Sequence, residues 1–171
     1  MRNAGIRLFY PNSFGQTAPN EARTISSWVN DKAISVKLDV TDNRAVGVKC
    51  YVPEYTFVEK LQTISTKFRR QQEKGDMPVN FMRHYYDLFQ LLKLQRVQKF
   101  IGSAEYLEHK NKRFRLKDEP DLLKNEGFII SDPWTKNKYE MAFLKTKNLY
   151  YKGQPSLDSV LKEFAKWLGK L

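Results

Sequence analysis

The chain has 171 residues, long enough to bury a real core, and its 41% hydrophobic and 13% aromatic content excludes a disordered protein. A formal charge of +11, from 30 Lys+Arg against 19 Asp+Glu, suits a polyanionic partner, of which nucleic acid is the commonest. One cysteine, Cys50, excludes an intrachain disulfide and fits a reducing compartment, no apolar run approaches the roughly 20 residues of a membrane helix, and no signal-peptide core opens the chain, so the cytoplasm is expected.

In chain order, Gly5–Tyr10 reads as a short strand stopped by Pro11, and 12–20 as a loop. Glu21–Asn30 reads as a short helix or an irregular segment. Ala33–Val40 alternates, with Ile34, Val36, Leu38 and Val40 on one face; Arg44–Val52 alternates again, with Val46, Val48, Cys50 and Val52 inward. Thr41-Asp42-Asn43 between them predicts a β-hairpin. Cys50 on that inward face reads as core rather than as a nucleophile.

Helices are expected from Thr56 onward. Thr56 with Glu59 matches a capping box, and Phe57, Leu61, Ile64 and Phe68 follow at helical spacing. Gly75, Asp76 and Pro78 break the pattern. A second helix carries Phe81, Tyr85, Leu88, Phe89 and Leu92 on one face. Lys60 borders the first stripe and Asp87 the second, so packing of the two helices would let the opposite charges meet at a shared cleft. Leu94–His109 reads as a third helix, and Leu122–Ile130 gives no assignment. Ser131 or Asp132 before Pro133 starts a helix that would bury Met141, Leu144 and Tyr150. After Gly153-Gln154-Pro155, Ser156 caps a last helix with a stripe of Leu157, Val160, Leu161, Phe164, Leu168 and Leu171. Strands first and helices after give an α+β class: a short antiparallel sheet, then a mainly helical bundle. The expected organisation is a single domain or fragment, with a β-rich part over 1–53 and a helical part over 54–171.

Pro53-Glu54-x-Thr56-Phe57-x-Glu59-Lys60-Leu61, followed by Arg83-His84-x-Tyr86-Asp87-Leu88, resembles the nucleotidyltransferase family of AbiEii/AbiGii-type toxins. The resemblance continues through Tyr139–Met141 and Tyr151-Lys152-Gly153-Gln154-Pro155-Ser156-Leu157, over most of this chain but only the later part of the family's usual length. It implies an enzyme that takes a nucleoside triphosphate with Mg²⁺ and transfers nucleotide to RNA, tRNA being the expected acceptor, opposite a cognate antitoxin. It also implies Lys60 as the phosphate-binding and catalytic cation, Asp87 as the acid that orients it or acts as base, and Arg83 and His84 beside them as nucleotide-binding. The residues alone equally allow a solvated helix lysine at Lys60, a surface i,i+4 pair of Arg83 with Asp87, and a polar core contact at His84.

Nucleotidyl transfer draws its metal from carboxylates, which in this superfamily follow a Gly-Ser or Gly-Gly turn as an Asp-x-Asp strand. No such pattern stands here: Asp39-Val-Thr-Asp42 has the wrong spacing and no glycine turn, and Phe9 occupies the place of the family's further acid. No metal ligand is therefore assigned. The expectation is a later, C-terminal part of such a toxin, inactive alone, against a non-catalytic basic module that binds RNA or docks an antitoxin. Two distant histidines and one cysteine make no zinc site. The run from His109 to Lys117 is the densest positive stretch, and Lys110, Lys112, Arg113, Arg115 and Lys117 are candidate RNA contacts, each neutralised phosphate steepening the salt dependence. The alternative for the same run is a solvated helix end.

Overall fold

A computed structural model describes residues 19–150 and 153–171; the strand expected at Gly5–Tyr10 lies outside them. The described residues form two compact units, one ending at Val52 and one spanning Pro53–Leu171. The class is α+β: a two-stranded antiparallel sheet near the N-terminal end, and helices after it.

The first unit holds β1 (Asn20–Ile25), α1 (Trp28–Ser35) and β2 (Ala45–Tyr51). β2 is the strand expected over 44–52, but its partner differs. It pairs with β1 in the register Asn20↔Tyr51, Glu21↔Cys50, Ala22↔Lys49 and Arg23↔Val48, with a slip before Ile25↔Ala45. Of the segment Glu21–Asn30 read as helical or irregular, residues 21–25 are strand and 28–30 open α1. Most of the expected strand 33–40 falls on α1 and the turn after it. Ser27 starts α1, accepting the N–H of Asn30 at 3.1 Å, and the chain turns out of it at Lys37, φ 56°. Alternation alone did not make a strand, because a capped helix start lies just upstream. Nor is β2's apolar face turned inward throughout: Val46 is 80% exposed, and Cys50 is half-buried.

The second unit is built on α2 (Pro53–Lys74), followed by α3 (Arg83–Leu91), α4 (Gln95–Phe100), α5 (Ala104–Arg113), α6 (Glu126–Ile129), α7 (Pro133–Leu144) and α8 (Leu157–Ala165). α2 begins at Pro53, where a proline suits the first turn, so Thr56 and Glu59 lie inside the helix rather than capping it. Phe57, Leu61 and Ile64 are buried as the periodicity predicted, together with Val58. Phe81 is buried in the turn just before α3, and Tyr85, Leu88 and Leu92 continue that stripe. The single helix expected over 94–109 is two: α4 stops at Ile101, Gly102 takes φ 81°, and Ser103 caps α5 by accepting the N–H of Tyr106 at 3.1 Å.

α6 fills the unassigned stretch. Asn125 holds its start, accepting the N–H of Gly127 at 3.0 Å while its amide donates to Ser65 on α2. A Cβ at Gly127 would stand 3.0 Å from Asn125 Oδ1, 3.2 Å from Phe68 Cβ and 3.4 Å from Ile64 Cγ2, so the missing side chain is what lets α6 lie against α2. Tyr85 fixes the same point from α3, donating to the Gly127 carbonyl at 2.7 Å. Asp132 caps α7 as expected, but Met141 and Leu144 are each 57% exposed; that helix buries Tyr139 and Phe143 instead. The buried pair sits four residues apart on the face whose Tyr139 hydroxyl reaches Gln71 of α2 at 2.9 Å, and Met141 and Leu144 fall off that face. Ser156 caps α8, which buries Leu157, Val160 and Phe164, while Leu161, Leu168 and Leu171 pack at the margin.

Candidate functional site

The packing of α2 against α3 brings Lys60 and Asp87 together. Lys60 Nζ donates to Asp87 Oδ2 at 2.8 Å, both side chains being partly open to solvent. The ammonium also lies 3.4 Å from His84 Nδ1, and that nitrogen is 3.9 Å from Asp87 Oδ2. His84 is buried, and burial followed by the charges of Lys60, Lys67 and Arg83 brings its pKa down to about 3. It is therefore neutral at physiological pH. Facing an ammonium, Nδ1 acts as acceptor, which leaves the ring proton on Nε2.

Further cations lie close to this group. Lys67 stands seven residues, about two helical turns, after Lys60, and so on the same side of α2. It donates to the Val79 carbonyl at 3.0 Å, and burial, then Arg83 and Lys60, pulls its pKa down. Arg83 opens α3, and its Nε is buried with no hydrogen-bond partner among the described residues. Tyr150 stacks on Tyr86 with ring centroids 3.7 Å apart and 22° between planes. Its hydroxyl is buried without a hydrogen-bond partner among the described residues, and its pKa is raised, chiefly by burial, with the Asp87 carboxylate adding to it. Asp87 pairs with Lys60 alone, while Lys67 and Arg83 add positive charge around His84, an electrostatic setting that favours an anionic group.

Of the sequence-predicted site residues, Lys60, His84 and Asp87 meet directly, and Arg83 acts on them through its charge. The basic run is not gathered on one face. Lys110 is buried and donates to the backbone oxygen of Leu171. Lys112 pairs with Glu108, and Arg113 bridges to Glu59 at 2.6 Å, with His109 3.2 Å from the same carboxylate. Arg115 and Lys117 are exposed and make no ion pair among the described residues. The sequence gives neither Lys67 nor Tyr150 a place at this site: Lys67 reads only as added charge at the end of the first helix, and Tyr150 as a buried residue of the helix from Pro133, whereas it lies beyond α7. The two-turn spacing from Lys60 would have flagged the first; nothing local flags the second, whose neighbours come from α3.

Among the described residues, no group of three or more His, Cys, Asp or Glu side chains converges on a point where a metal ion could be held. Residues 1–18 contain no Asp or Glu at all. The side chains at hand therefore do not fit a metal centre. Among the described residues, no helix is long and apolar enough to cross a membrane.

Compared with known proteins, residues 2–163 match the family model of the nucleotidyl transferase AbiEii toxin of type IV toxin–antitoxin systems. Neither curated proteins nor solved structures gave a match.

Proposed function

The chain belongs to the AbiEii nucleotidyl transferase toxin family, and from that premise we propose that the Lys60–His84–Asp87 group between α2 and α3 binds the phosphates of a nucleoside triphosphate. The observation that carries this reading is the Lys60–Asp87 contact at 2.8 Å, made within a group of cations. Lys60 is the phosphate cation, and Asp87 orients it and is the candidate base. Neutral His84 meets the same ammonium without adding charge. Arg83 supplies the nearby guanidinium.

In this reading the nucleotide goes to an RNA hydroxyl, with tRNA as the acceptor, and pyrophosphate leaves. The toxin works in the cytoplasm and is restrained by a cognate antitoxin. Of the basic run, Lys112, Arg115 and Lys117 remain open to RNA phosphates, whereas Lys110 and Arg113 serve the fold. The boundary near residue 53 separates the β-rich part of a nucleotidyltransferase-like core from its helical part. Since no carboxylate group here fits Mg²⁺, we hold that residues 1–171 bind nucleotide but do not transfer it alone. A turnover assay with labelled nucleotides showing transfer by the purified chain would refute that last statement.

The nucleotide site is tested by thermal unfolding with ATP, CTP, GTP and UTP. A ligand that binds only the folded state raises stability by about 2.7 kcal/mol at 100 times its dissociation constant. The expected outcome is a nucleotide-dependent rise in the wild-type chain that is lost in Lys60→Ala and kept in Lys112→Ala. No rise with any nucleotide would leave Lys60 and Asp87 as an ordinary ion pair. The absence of a carboxylate cluster would then favour a non-catalytic RNA-binding or antitoxin-docking module.

A further inference from the structure

At the margin of the core, Tyr86, Phe89 and Gln90 of α3 and Lys93 in the turn after it stand at i, i+3, i+4 and i+7, so Phe89, expected on the buried stripe, is only partly buried there. Together with Gln154 and Pro155 they line an open cleft of about 490 Å³, within the roughly 300–1,000 Å³ of small-molecule sites. This row begins next to the candidate site: Tyr86 precedes Asp87, and Arg83 lies one turn before it on the same helix.

The walls have a defined chemistry. Gln154 commits its amide N–H₂ to the Phe143 carbonyl and Thr146 Oγ1, each at 2.9 Å, which fixes the amide and leaves its oxygen as an acceptor. Gln90 accepts from Lys93 Nζ through its oxygen at 3.2 Å, which leaves its N–H₂ as a donor. The rings of Tyr86 and Phe89 and the ring of Pro155 supply flat apolar surface, and Lys93, 4.3 Å from the Phe89 centroid, supplies a cation. Among the described residues, no acidic side chain lines the cleft. A flat group with a hydrogen-bonding edge and an attached phosphate matches all of these features.

We propose, building on the nucleotide reading of Lys60 and Asp87, that this cleft binds a nucleobase, with Gln90 as donor and Gln154 as acceptor to its edge. One donor and one acceptor suit the edge of every common base, so the cleft holds a base without strongly selecting among them. The base belongs either to the nucleoside triphosphate or to a single-stranded RNA end, and the two sources are separable.

Dissociation constants are measured for the full chain with ATP, with inorganic tripolyphosphate and with a short single-stranded oligoribonucleotide. They are repeated in Gln90→Leu, in Phe89→Leu and in Lys60→Ala. The cleft variants are expected to weaken a base-bearing ligand on the order of tenfold, the scale of one stacked base, and to leave tripolyphosphate unchanged. Loss for ATP assigns the cleft to the triphosphate's base; loss for the oligonucleotide alone assigns it to the RNA strand. Unchanged affinity for both overturns the proposal while leaving the phosphate reading intact, because tripolyphosphate would still depend on Lys60. Base-bearing ligands lost in the cleft variants while tripolyphosphate fails to bind the wild type would keep the cleft and overturn the phosphate reading. Failure of all three ligands in the wild type overturns both. Independently of any variant, photocrosslinking of the wild-type chain with 8-azido-ATP and with a 4-thiouridine oligonucleotide is expected to label the peptide carrying Tyr86 to Lys93. Labelling confined to other peptides counts against the cleft.

Discussion

At the scale of single residues, the charge of His84 is the most consequential detail. Its pKa of about 3 in the folded chain, against an ordinary 6.5, means that the unfolded chain takes up the extra proton first as the pH drops. The stability contributed by neutral His84 is complete above about pH 6.5 and is lost as the pH falls toward 3, at a slope of at most about 1.4 kcal/mol per pH unit. Urea midpoints measured from pH 7 to pH 4.5 should therefore fall more steeply in the wild type than in His84→Gln. Parallel curves would show that His84 can be protonated in place. The motif around Lys60 and Asp87 was legible from sequence, because two short patterns each fix a residue on one helix edge and the helices then have to meet. Lys110 and Arg113 were not legible as internal residues. A run of cations says nothing about which of them a distant carboxylate or carbonyl will claim, and here Glu59 and Leu171 lie far from them in sequence.

At the scale of elements, α2 and α3 are legible in the sequence because long apolar periodicity reports burial directly, although α2 starts at Pro53 rather than at a Thr56 cap and Phe68 and Phe89 are only partly buried. The first unit was misread because short alternating segments fit a strand and a solvent-facing helix equally well, and the ladder partner was decided by β1 rather than by the nearest alternating neighbour. α6, at four residues, is too short to carry a period; contacts hold it in place instead. Those contacts make a sharp expectation. Gly127→Ala forces a methyl group into Phe68 and Ile64 of α2, at 3.2 and 3.4 Å, and toward Asn125 Oδ1. We expect a loss of about 1–3 kcal/mol, the usual cost of overpacking, read as a lowered urea midpoint with an unchanged slope. An unchanged midpoint would mean that α6 can shift off α2 freely.

At the scale of the whole molecule, the charge of +11 is a property of the surface rather than of the fold. If RNA is the partner, affinity should fall with salt, and each single-strand phosphate contact adds about 0.7 to the magnitude of the logarithmic slope. Removing the exposed Arg115 and Lys117 together should lower that magnitude by up to about 1.4, whereas replacing the internal Lys110 should lower the melting temperature instead. Equal slopes in wild type and double variant would remove this segment from the RNA surface. The family match itself rests on sequence over residues 2–163, whereas the Lys67 and Tyr150 neighbourhood emerges only once the helices are packed.

The position of α2 at the head of the second unit also bears on how the chain is made. A ribosome finishes α2 at Lys74, yet α7, whose Tyr139 reaches Gln71 and Phe68 of α2, ends at Leu144. Seventy residues (144 − 74) must be added in between, which at about 5–20 residues per second takes on the order of 4–14 s. Throughout that interval Phe57, Val58, Leu61 and Ile64 are on a completed 22-residue segment whose full set of partners has not yet been synthesised. The helix that carries Lys60 is thus the first part of its unit to be made and among the last to be fully covered, which makes the nascent chain at this stage a natural substrate for holding chaperones.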